Sequence, residues 1–189
     1  MNARFSPYLL ASSLALPGIA TAGEHHHDHH AHVHGMAKLE VAVESGRIDL
    51  HLESPLEALL GFEHAPRTAQ EKSAVAKMAQ TLRQADKLFV PTAAAGCKLA
   101  SVELESPVLE KESPHAKDHK HAAHPESGEA HGDLDGNFVF TCAQPGKLTG
   151  MEVRLPGAFP RMQRIDAQVV SAKGQSARKL TAKMRFLSW

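Results

Sequence analysis

Two windows of this chain, residues 25–34 and 115–131, hold 12 of its 14 histidines and almost no large apolar side chains. Segments of that composition cannot bury enough surface to offset the entropy of ordering them, so neither can build a core. Any fold must be assembled from the remaining pieces and must tolerate a long polar excursion in mid-chain. Residues 110–133, rich in His, Lys, Glu, Ser and Pro, form that excursion. Loops of such length in a compact domain are functional or disordered. Residues 23–35 read as a mobile tail in the metal-free protein.

The pieces outside the windows carry strand periodicity. Ala37, Leu39, Val41 and Val43 alternate with Lys38, Glu40 and Glu44, the pattern of a half-buried strand. Ser45-Gly46 makes a two-residue turn, and Ile48, Leu50 and Leu52 alternate with Arg47, Asp49, His51 and Glu53 in a return strand. Such a hairpin faces Glu44 to Arg47 and Glu40 to His51, so Glu40 is the expected partner of His51. Leu56 to Phe62 is a short apolar turn or single helical coil. Thr68 opens the clearest helix, with Glu71 three residues on as a capping box and Val75, Met78, Ala79 and Leu82 as its apolar stripe.

Further along, Leu88-Phe89-Val90 is a short strand, and residues 97–109 form a strand with Val102 and Leu104 inward. Leu134, Phe138, Phe140 and Cys142 share one face of the next strand. A closing hairpin pairs Ile165, Ala167 and Val169 with Leu180, Ala182, Met184 and Phe186 across a turn near Lys173-Gly174-Gln175. The sum is an α+β domain over 36–189, a mainly antiparallel sheet with one main helix, a disulfide and two disordered histidine-rich segments.

The first 22 residues read as a secretory signal: Arg4 supplies the positive start, an apolar stretch broken by Pro17-Gly18 follows, and Ala20-Thr21-Ala22 offers small residues for cleavage. The alternative, a retained anchor, fits poorly, because the apolar run is too short and broken to span ~30 Å of hydrocarbon. No membrane insertion is expected after cleavage. Export makes Cys97 and Cys142 a structural disulfide closing a loop of 46 residues, since neither sits in a CxxC or CxxH spacing. Lys plus Arg balance Asp plus Glu at 21 each, so no global charge draws the protein to nucleic acid or membrane.

Histidine then carries the chemistry. His25, His26, His27, His29, His30, His32 and His34 put seven imidazoles into ten residues. Neutral imidazole suits Zn²⁺, Cu²⁺ and Ni²⁺, and a pliable run supplies a zinc tetrahedron in many combinations. A purification tag, the bland alternative, is usually unbroken and lies outside a signal sequence. His30, His32 and His34 alternate, so an extended chain puts them on one face; if the first strand extends backward when metal binds, that face continues its outer face through Met36, Lys38 and Glu40. Cleavage after Ala22 would expose Gly23-Glu24-His25, whose amine, amides and imidazole form a square-planar set for Cu²⁺ or Ni²⁺. That makes copper or nickel sequestration the rival reading.

His115, His119, His121, His124 and His131, interleaved with Asp and Glu, form the second zinc-compatible cluster, against which stands a merely solubilising loop. His64, ahead of the capped helix, is a further candidate. The chain has no HExxH, no GxSxG, no phosphate-binding glycine loop and no Cys/His nucleophile pair, so no enzyme is expected.

His32-Val33-His34-Gly35, Leu52-Glu53-Ser54-Pro55, Gly61-Phe62-Glu63-His64-Ala65-Pro66, Ala95-Gly96-Cys97, His131-Gly132-Asp133 and Phe140-Thr141-Cys142 together resemble ZrgA, the zinc-regulated periplasmic proteins of Gram-negative bacteria. Phe159-Pro160, Ile165 to Val169 and Gly174-Gln175 extend the resemblance over nearly all of the mature chain, in the same order. It implies a periplasmic zinc-binding accessory protein, a chaperone or buffer that supports zinc uptake by passing metal to a transporter component. A transporter-docking module that uses the sheet surface, with secondary metal binding, is a further rival reading. Carried over by position, His32, His34, His64 and His131 are the residues expected at an ordered site. Leu155-Pro156-Gly157 departs from the resemblance, where a Leu-Phe pair is expected, and concerns local packing only.

Overall fold

A computed structural model describes residues 33–109 and 132–189. Strands dominate it. β1 (Met36–Glu44) and β2 (Arg47–Pro55) form the expected hairpin, with Glu40 opposite His51 and Glu44 opposite Arg47. α1 (Leu56–Leu60) follows directly, then α2 (Ala69–Arg83) and the single turn α3 (Ala85–Leu88). β3 (Phe89–Pro91), β4 (Cys97–Glu105), β5 (Asp133–Cys142), β6 (Gly150–Val153), the turn α4 (Leu155–Ala158), β7 (Arg164–Ser171), β8 (Gly174–Leu180) and β9 (Phe186–Ser188) complete the order.

Six strands make one sheet in the order β4-β5-β2-β1-β7-β8. Its pairings are antiparallel except β1 with β7, which run parallel. β3, β6 and β9 form a second, three-stranded antiparallel sheet. Alternation fixes which face of the large sheet is dry: Leu39, Val41, Ile48, Leu50, Leu52, Phe138, Phe140, Ile165 and Val169 are all buried. They join one core with Val75, Met78 and Leu82 of α2 and with Phe89, Met151, Val153 and Leu187 of the small sheet. The rings of Phe89 and Phe138, 5.0 Å apart, link the two sheets.

The capping box of α2 is complete. Thr68 Oγ1 accepts from the Glu71 N–H at 3.1 Å, and Glu71 Oε2 accepts from the Thr68 N–H at 3.0 Å. Those backbone donors, Thr68 first and Arg67 next, hold the Glu71 carboxyl below its ordinary range. The cap's ionic part is therefore present above the ordinary carboxylate pKa and is lost as pH falls through the depressed folded value. Thr68→Ala is expected to cost about 1 kcal/mol at neutral pH, measured by urea unfolding. An unchanged midpoint would show that core packing alone sets the helix start.

The C-terminal pairing departs from expectation. The turn falls at Ala172-Lys173, with Ser171 opposite Gly174, and β8 ends at Leu180. Thr181 then turns the chain, donating its N–H to the Met184 carbonyl, and β9 crosses to the other sheet. There the parity is reversed: Leu187 is buried, while Met184 and Phe186 are 62% and 55% exposed. One added residue between strands flips every side chain after it, so a continuous alternation was misleading. At α4, Leu155 and Pro156 are buried, so Leu155-Pro156-Gly157 packs without a Leu-Phe pair.

Candidate metal centre

His34 and His64 are the predicted ligands that fall within the described residues, and both are exposed. His25, His26, His27, His29, His30 and His32 lie outside them, as do His115, His119, His121, His124 and His131. Among the described residues no three His, Cys, Asp or Glu side chains stand close enough to hold a metal ion. What the fold fixes is where the two histidine-rich segments join it.

Antiparallel pairing brings the start of β1, the end of β2, the start of β5 and the end of β4 to one end of the sheet. Lys38 faces Glu53, Pro55 faces Asp133 and Glu105 faces Asp135. Parallel β7 adds Arg164 beside Met36. The tail therefore enters, and the long loop leaves and returns, at the same end. α1 and the segment after it touch that end through Glu57 at Gly35 and through Leu56 and Glu63 at Gly132.

The tail junction is a turn closed by the Met36 N–H donating to the Val33 carbonyl at 3.0 Å, with His34 and Gly35 at its corner. Gly35 has φ +74°, a conformation that costs an L side chain roughly 1–2 kcal/mol. Its carbonyl accepts from the Gln163 and Arg164 N–H groups, and its N–H donates to Glu57 Oε2 of α1 at 3.2 Å. Glu57 also faces Arg161 at 4.0 Å. β1 thus starts at Met36, with His34 on the turn before it.

The loop junction packs still more tightly. The Leu56 N–H donates to the Gly132 carbonyl at 2.9 Å. A Cβ at Gly132 would stand 2.7 Å from Leu56 Cδ1 and 2.9 Å from the Glu63 carbonyl oxygen, so only glycine passes. Gly132 directly follows His131 in sequence, and Glu63 directly precedes His64.

His64 is oriented by its neighbours. Its ring stacks on Phe62 at 5.0 Å, and Nδ1 lies 3.0 Å from the Ala65 carbonyl oxygen. A carbonyl only accepts, so that contact places the proton on Nδ1 and leaves the Nε2 lone pair free. A second contact fixing the tautomer is the usual preparation of a metal-binding imidazole.

His51 is placed differently from expectation. Although Glu40 lies opposite it in the register, its Nδ1 meets Asn137 Oδ1 at 3.0 Å and its Nε2 stands 3.8 Å from Asp135 Oδ1. The ring leans toward β5, the neighbour on its other flank, which pairing within the hairpin could not reveal. Arg47 likewise turns from Glu44 to Asp49, at 2.7 Å. Sequence reasoning also passed over Glu57 and Gly132, whose roles depend on contacts far along the chain. Asp133, Asp135 and Asn137 alternate with Leu134, Gly136 and Phe138, and that spacing was the signal for the polar row beside His51.

At the opposite end of the sheet Cys97 and Cys142 are disulfide-bonded and paired in register. Among the described residues no helix is long and apolar enough to cross a membrane. No curated protein matches the chain. The family described as ZrgA family zinc uptake protein matches residues 31–189, which takes in both junctions, the cysteine pair and the long loop. The chain therefore belongs to the ZrgA family of zinc uptake proteins.

Proposed function

We propose that this protein collects Zn²⁺ in the periplasm through the imidazoles of residues 25–34 and 115–131 and gathers it at one end of its sheet for delivery to an uptake transporter. The observation that supports this most is the convergence there of the tail junction at Gly35, the loop junction at Gly132 and the oriented ring of His64. His64 serves as the ordered ligand. His32, His34 and His131 are within one to three residues of anchored backbone and complete a tetrahedron with it.

Capture uses neutral nitrogen donors, so protons displace the metal as pH falls through the imidazole range of about 6 to 7. Many alternative ligands keep exchange fast, which favours handing zinc on over storing it. A chaperone or buffer acts in this way.

His64→Gln in the full chain tests the reading. Removing the oriented ligand is expected to weaken the tightest zinc equivalent on the order of tenfold or more, as even an outer-shell loss does. Total stoichiometry should barely change, because the segments remain. Competition against a zinc-binding dye reads both quantities. An unaltered tightest affinity would place the ordered site elsewhere.

A further inference from the structure

A meeting of imidazole and carboxylate lies on the outer face of the large sheet, four residues along β2 from the end where the histidine-rich segments join it, or about 13 Å. His51 Nδ1 is 3.0 Å from Asn137 Oδ1. An amide oxygen only accepts, so the ring proton sits on Nδ1 and the lone pair on Nε2. That lone pair stands 3.8 Å from Asp135 Oδ1. In the neutral imidazole these are two acceptors facing each other with no hydrogen between them. Such a gap is relieved by a proton or by a metal cation.

No lysine or arginine among the described residues is paired with Asp135 across this gap. Lys38 is engaged by Glu53 at 3.2 Å and Arg47 by Asp49 at 2.7 Å, so among the described residues His51 is the basic group paired with Asp135. Glu53 and Glu105 flank Asp135 on the two neighbouring strands. Burial first, and then those two carboxylates, push the Asp135 carboxyl above its usual range against the pull of His51. Bonds of about 2.0–2.2 Å from nitrogen and oxygen to one Zn²⁺ fit across the 3.8 Å gap at an angle wider than tetrahedral.

We propose that His51 Nε2 and Asp135 form an open divalent-cation site on the sheet face, with Asn137 as the positioning residue and water filling the remaining coordination. Two protein ligands make it weak and quick to exchange. It is independent of the histidine-rich segments and of the site at the sheet end.

Mn²⁺ separates this site from the imidazole tracts, because it ranks lowest in the divalent series and favours carboxylate oxygen. Titrating Mn²⁺ into the full chain at neutral pH should broaden the amide signals of His51, Glu53, Asp135 and Asn137 most strongly. Asp135→Asn and His51→Gln should each abolish that focus. Asp135→Asn should stay folded, since the side chain is about half exposed. Asn137→Ala should weaken binding about tenfold through the loosened ring. Broadening confined to the histidine-rich residues overturns the proposal. So does a focus that survives His51→Gln, which marks diffuse attraction to an acidic face. Loss of zinc by the two segments alone would leave this Mn²⁺ pattern intact, so the two readings fail separately.

Discussion

Replacing the 12 histidines of residues 25–34 and 115–131 by serine should remove most of the zinc that the full chain binds, while its unfolding transition in chelator stays where it was. The first half follows from ligand count: only His51 and His64 lie outside those windows, and zinc asks for four donors. The second follows from the core. Among the described residues, Leu39, Leu52, Phe138, Phe140 and their neighbours close it without a histidine. Calorimetric titration at pH 7 gives the stoichiometry, and thermal unfolding with chelator gives the stability. Undiminished zinc binding would refute capture by the segments. Stoichiometry that falls together with the unfolding temperature would mean that the histidines hold the fold and not only the metal.

Cys97→Ser with Cys142→Ser should cost about 4 kcal/mol, a large part of the roughly 5–15 kcal/mol that stabilises an ordinary domain. The cysteines are 45 residues apart in sequence and face each other at the end of the β4–β5 pair. Cross-linking them removes loop-closure entropy from the unfolded chain. The loop so closed contains residues 110–131, a stretch whose polar composition offers little to a core. β4 is an edge strand whose one strand partner among the described residues is β5, so without the bridge its return across that stretch relies on that pairing and on core contacts. Urea unfolding of the double variant should shift its midpoint down by on the order of 2 M. Equal midpoints for the oxidised protein and the variant would show that pairing in register suffices.

Local patterns carried much of the fold. The β1–β2 register, the capping box, the stripe of α2 and the pairing of Cys97 with Cys142 could each be read from spacing, because each is set within a turn, a helix or a residue type. Periodicity says which face of a strand is wet; it does not say which strand lies beside it. The parallel neighbour of β1, the second sheet and the reversed parity at Phe186 were hidden for that reason. The same limit applied to His51, whose ring turned to Asn137, 86 residues away, rather than to Glu40 within the hairpin.

The chain's composition by itself pointed to imidazole chemistry: the histidines gather in segments too polar to pack, and neutral imidazole suits a borderline metal ion. Where those segments join the sheet was decided only in three dimensions. Glu57 fastens the tail at Gly35, and Leu56 and Glu63 leave room at Gly132 for glycine alone. Contacts between residues so distant along the chain depend on how the strands are ordered, and no local periodicity encodes that order.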